Sequence, residues 1–175
     1  MKTRVAFVFV LCTLLVNQAL AQDRTKLDAL DEKVKSDFEK TMPEWKHERV
    51  DPIVKSENVL IEFWSSANRK VKVSILAHDS VEQAREVFKN HERYSFNREA
   101  LNGVGDEAVA SGYGSADVAF RSGKYTVYIS TVADVDADAD ARSLSQAERS
   151  KREKSEAVRL SRQFARDIAR VLNAP

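Results

Sequence analysis

Residues 59–76 read VLIEFWSSANRKVKVSIL. The first six, Val59 to Trp64, are largely apolar and rich in side chains that favour extended backbone. From Lys70 to Leu76 the pattern alternates with period two. Val71, Val73 and Ile75 point one way, and Lys70, Lys72 and Ser74 the other. The short polar link SSANR separates the two runs, so the stretch predicts an antiparallel hairpin with one face buried and the other at least partly wet. Upstream, VDPIV (50–54) adds a candidate short edge strand, because Pro52 suits an edge better than a sheet centre.

Helical patterns flank this hairpin. In TKLDALDEKVKSDFEK, residues 25–40, Leu27, Leu30, Val34 and Phe38 recur every three or four positions and form one apolar stripe. Pro43 marks the stop. Ser80-x-x-Gln83 is a capping box that opens a second helix, with Ala84, Val87 and Phe88 on its apolar side and an end near Asn90. Residues 116–120 and 125–129 read as a second hairpin, turning through Arg121-Ser122-Gly123-Lys124. A long helix is expected from about Ser143 to Leu172, capped by Ser145 and Glu148. Its first half is almost purely polar; Leu160, Phe164, Ile168 and Val171 stripe the second. The order helix, hairpin, helix, hairpin, long helix predicts an α+β fold. Its antiparallel sheet would have four or five strands, covered by helices on one face.

The first residues predict a compartment. MKTR is a short basic start, VAFVFVLCTLLV is apolar, and Ala19-Leu20-Ala21 supplies the small residues a signal peptidase reads. Residues 1–21 are expected to be a secretory signal peptide, its apolar run too short to span a bilayer as an ordinary helix. Its removal takes Cys12 and leaves 154 of the 175 residues, 22–175, without cysteine. That length suffices for one core without disulfides. One α+β domain is expected, with a partly exposed polar segment near 134–156. Loss of Lys2 and Arg4 lowers Lys plus Arg from 28 to 26, against 27 Asp plus Glu. A net charge near −1 disfavours nucleic acid as a partner. No second long apolar run follows, so the mature protein is expected to be soluble, in the periplasm or secreted.

GVGDEA, residues 103–108, matches the glycine spacing of a dinucleotide-binding turn. Such a turn needs a strand before it and a helix after it. NHERYSFNREALN holds no apolar strand run, and the glycines of ASGYGSA resist a helix. The loop is therefore expected to be structural. Gly103 and Gly105 would allow an unusual backbone path, and Asp106 and Glu107 would accept bonds that pin it. No cofactor is implied.

This loop, followed by FRSGKYTVYI (120–129), resembles a pattern in small exported bacterial domains of unknown function. In those domains the loop leads to a strand, a short turn, a second strand and a closing helix. The resemblance covers roughly residues 58–172. It implies a fold and a compartment, and it carries no catalytic residue onto this chain. Some similar domains are lipid-anchored, whereas no cysteine follows Ala21 here.

The chemistry-bearing residues are scattered. His47, His78 and His91 show no metal-binding spacing. His78-Asp79-Ser80 holds the three residue types of a hydrolytic triad, but adjacent residues do not converge in line, and Ser80 is better read as a cap. In DVDADADA, residues 134–141, Asp134, Asp136, Asp138 and Asp140 recur as at the start of a calcium loop. Ala139 and Ser145 break the rest of that pattern, and a solvated acidic linker before a helix is the competing reading. The basic cluster Arg149 to Lys154 could pair with those aspartates or touch an anionic surface. The residues together favour an exported, non-enzymatic domain that binds a protein, an envelope component or a small ligand. The alternative is an exported hydrolase with a dispersed site drawn from the histidines, Asp106 and Glu107.

Overall fold

The computed structural model describes residues 26–50, 58–112, 116–136, 138 and 140–174. The proposed signal peptide and all of the Pro52 segment except Val50 lie outside the described residues. The chain runs α1 (26–41), β1 (Lys46–Val50), β2 (Val59–Ser66), β3 (Arg69–Ala77), α2 (Val81–Tyr94), β4 (Glu99–Ala100), β5 (Glu107–Ser111), β6 (Asp117–Ser122), β7 (Tyr125–Ala133), a single 3-10 turn (Ala141–Ser143) and α3 (Gln146–Asn173). All strands pair antiparallel in one sheet, in the order β1-β2-β3-β7-β6-β5-β4. The α+β class is thus as expected, but the described sheet has seven strands rather than four or five. Two meanders, of three and four strands, replace the two hairpins.

Physical reasons account for the extra strands. β1 reads KHERV, polar on both faces, so it lacks the alternation that announces a strand. It forms because β2 offers an open edge and pairs with it from Lys46↔Ser65 to Val50↔Ile61. β5 is too short and small-residued to stand out, and β4 has two residues.

The register puts Glu62, Val73, Ile129 and Val118 in one row on one face of the sheet. On that face α1 and α3 bury Leu27, Val34, Phe38, Leu160, Phe164 and Ile168 against Leu60, Trp64, Val71, Ile75, Phe120 and Val127. Phe164 is fully buried, with ring centroids 4.9 Å from Phe38 and 5.1 Å from Trp45. The α1 stripe is buried throughout, and the helix stops where Pro43 follows Met42. Ser145 caps α3 with the expected reciprocal box. α2 does not join its fellows. Phe88 packs on Val109, Ala119 and Tyr128, residues that alternate with the core row and so face the opposite way. The expectation of helices on one face is corrected here: a helix's apolar stripe shows that it packs on the sheet, but not on which side.

That second face is only partly covered. Seven strands spaced about 4.8 Å apart span roughly 29 Å, while one helix is about 10 Å wide. α2 sits over β6 and β7, leaving the α2 side of β1–β3 without a helix among the described residues.

Candidate functional site

The glycine loop acts as a latch. Gly103 and Gly105 both have positive φ, +74° and +55°. Val104 between them is buried in the main core. Asp106 Oδ2 accepts from Arg121 Nη1 at 2.7 Å and from the Gly123 amide at 2.9 Å, and Glu107 Oε2 accepts from Arg121 Nε at 3.0 Å. The Asp106 amide donates to the Arg121 carbonyl at 2.7 Å. Arg121 is only 4% exposed, so the two acids of the loop neutralise a buried guanidinium. The bonds expected to pin the loop are thus made, and the Gly123 amide supplies one of them. The Arg121 side chain could not be paired from sequence because β6 brings it back from fourteen residues away.

A cleft opens on the α2 side of the sheet, about 430 Å³ in volume. Its floor is Lys72 and Ser74 of β3 with Tyr128 and Ser130 of β7. Its wall is the end of α2 and the turn after it, carrying His91, Tyr94 and Phe96. Ser95 ends the helix, its amide and hydroxyl both donating to the His91 carbonyl. The Phe96 carbonyl accepts from the Gly112 amide at 3.2 Å, which ties the turn to the end of β5. This holds two large rings at the rim: Tyr94 is 82% exposed and Phe96 59%. The His91 ring lies edge-on to Tyr128, 4.7 Å between centroids. Burial lowers the His91 pKa, Asp117 opposing, and burial raises that of Tyr128. Both are therefore neutral near pH 7.

A second constellation lies under the other face. Asp31 from α1, His47 from β1 and Glu62 from β2 bring one ligand atom each within 4.8 Å of one another. Glu62 is wholly buried and Asp31 nearly so. His47 Nε2 is 3.5 Å from Asp31 Oδ1 and 3.7 Å from Glu62 Oε2. Trp64 Nε1 donates to Glu62 Oε2 at 3.0 Å, and Arg49 Nη1 to Asp31 Oδ2 at 3.0 Å. The His47 ring lies against Trp64, centroids 4.5 Å apart. Burial pushes the Glu62 carboxyl up, with His47 and Trp64 opposing. Sequence reasoning missed this group, yet a signal was present. Glu62 alternates with Leu60 and Trp64, and Asp31 falls four residues after Leu27 on the apolar stripe. Two acids occupy positions whose neighbours are core.

Comparison with protein-family models, curated proteins and solved structures returns no match. The functional reading therefore rests on geometry.

The other candidate residues are kept apart. His78 Nε2 pairs with Thr126 Oγ1 at 2.8 Å, at the end of β3, and burial lowers its pKa. No hydrogen bond, ion pair or ring contact joins two of His47, His78 and His91 among the described residues. Ser80 is a helix cap, accepting from the Gln83 amide, while Gln83 Oε1 accepts from Asp79 rather than from Ser80 itself. Of the calcium candidates, Asp134 and Asp136 bring carboxylate oxygens near Glu153. Asp138 and Asp140 are held elsewhere: Asp138 Oδ2 by Arg69 at 3.3 Å, and Asp140 Oδ2 by Arg152 at 2.8 Å. Arg149 also reaches Asp136 at 3.1 Å. The basic cluster thus pairs within the chain with the acidic run that precedes it.

Proposed function

We propose that this chain is an exported, non-enzymatic domain that binds a small organic ligand in the cleft between α2 and the sheet. One observation carries the reading: a cleft of ligand size whose rim displays two exposed aromatic rings, Tyr94 and Phe96. Small-molecule sites are concave, mostly apolar and fitted with a few polar groups, with volumes of about 300–1,000 Å³. The cleft's apolar wall and its Lys72, Ser74 and Ser130 floor have that composition. A neutral imidazole edge-on to Tyr128 suits packing against a flat molecule. The ligand class is a planar apolar body with an anionic or polar end directed to the Lys72 ammonium. Export rests on the basic start, the apolar run and Ala19-x-Ala21. Among the described residues no helix is long and apolar enough to cross a membrane.

The fluorescent probe 8-anilinonaphthalene-1-sulfonate has this chemistry. The folded protein should bind it saturably at one site, and Phe96→Ala or Tyr94→Ala should weaken binding about tenfold, the loss of one aromatic contact. Lys72→Glu should weaken it further by repelling the sulfonate. Unchanged affinity in all three variants would overturn the assignment. For export, protein from the native host should begin at Gln22; an intact Met1 to Ala21 would refute cleavage.

A further inference from the structure

We propose that Asp31, His47 and Glu62 form a site for a first-row divalent transition cation, for which zinc is the natural probe. The site is separate from the cleft, on the opposite face of the sheet.

The first argument is the set of unpartnered atoms. Asp31 Oδ1, His47 Nε2 and Glu62 Oε1 are all buried and have no hydrogen-bond partner among the described residues. Three such atoms in one cluster are costly unless something satisfies them. Glu62 is wholly buried, so water outside the protein cannot do so. The second argument is how the carboxylates are held. Asp31 has its other oxygen, Oδ2, fixed by Arg49, and Glu62 has Oε2, the oxygen nearer His47, fixed by Trp64. Outer donors that orient inward-facing ligands are the usual support of a metal centre.

Distances agree. At 3.5 Å and 3.7 Å, His47 Nε2 is too far from either acid for a good hydrogen bond. Zinc bonds of about 2.0–2.1 Å in a tetrahedron place neighbouring ligands roughly 3.3–3.4 Å apart. The ligand atoms, all within 4.8 Å of one another, draw in by up to about 1.5 Å to reach that spacing. An imidazolium alone does not account for the cluster. One Nε2 proton can point at one carboxylate and would leave Glu62 Oε1 still unsatisfied.

The ligand set selects the ion. One imidazole and two carboxylates suit zinc and its neighbours, whereas calcium and magnesium demand more oxygens. An ion has a way in. His47 keeps 12% of its side chain exposed, so solvent reaches the imidazole and a water can complete the coordination. The Trp64 ring lies against the imidazole and is itself backed by Phe38 and Phe164. Because the three ligands come from α1, β1 and β2, a bound ion would clamp the first helix and the edge strand to the sheet.

The test uses the purified protein freed of metal with EDTA and titrated with zinc chloride by calorimetry. One equivalent should bind with a Kd in the micromolar range or tighter, and zinc should raise the melting midpoint. Glu62→Gln and His47→Ala should each weaken binding at least tenfold, while Asp136→Asn, in the exposed acidic group, should not. Cobalt(II) should give the intense visible bands of a four-coordinate centre. If His47→Ala does not fold, Asp31→Asn and the cobalt spectrum of the parent decide. No binding, binding retained in Glu62→Gln and His47→Ala, or loss through Asp136→Asn instead would each overturn the proposal.

Discussion

Alanine at Gly103 and alanine at Gly105 make the same chemical change two residues apart, and the fold should answer them differently. Both glycines have positive φ, +74° and +55°, so each alanine pays about 1–2 kcal/mol for the left-handed backbone. Restricting the unfolded chain returns about 0.4–1 kcal/mol. At Gly103 a Cβ meets nothing within 4 Å, so the net loss should be about 0–1.5 kcal/mol. At Gly105 a Cβ falls far inside contact distance of the Arg121 carbonyl oxygen and 3.0 Å from Phe120 Cδ2. Phe120 is fully buried and cannot swing aside. The Arg121 carbonyl also accepts the 2.7 Å bond from the Asp106 amide, which must stretch or break. Overpacking costs about 1–3 kcal/mol and the bond about 0.5–1.5 kcal/mol. Gly105→Ala should therefore lose about 1.5–6 kcal/mol in all. Urea melts of both variants measure this. At about 2–4 °C per kcal/mol, the two thermal midpoints should differ by roughly 5–15 °C. Midpoints within experimental error of each other would refute the close approach of the loop to β6.

Phe164→Ala should cost about 3–5 kcal/mol, because the ring is fully buried among Phe38, Trp45 and Trp64; a denaturant melt checks this, with Arg152→Ala as a near-neutral control. Amide exchange should be faster across 146–156, which is mostly exposed, than across 160–171, where Leu160, Phe164, Ile168 and Val171 are buried. Arg159 holds the Glu156 carboxyl at about 2, with Arg69 assisting and burial opposing. A depressed carboxyl contributes its stabilisation above the ordinary 4.5 and loses it as pH falls toward 2. The stability gap between the parent and Glu156→Gln should accordingly close over that range; a gap constant with pH contradicts the pairing.

What the sequence made legible was local and periodic. The α1 and α3 stripes, the β2–β3 alternation and the Ser145 box each rest on neighbours within a few residues, and each is found where it was expected. Less legible were the features settled by partners far along the chain. β1 is a strand only because β2 offers it an edge, and its inward residues His47 and Arg49 meet acids rather than apolar core. The side of the sheet that α2 covers depends on the register of β5 to β7. The cleft joins Lys72, His91, Phe96 and Tyr128, four residues with no common period. The Asp31–His47–Glu62 group left a fainter mark, acids at positions where the pattern called for apolar side chains.

Binding at the cleft is tested most directly by mapping the amide and side-chain NMR shifts of the folded protein as 8-anilinonaphthalene-1-sulfonate is added. The perturbed signals should cluster on Lys72, His91, Tyr94, Phe96, Tyr128 and Ser130. Shifts centred instead on the groove of Lys33, Asp37 and Arg170, or no localised shifts at all, would contradict it.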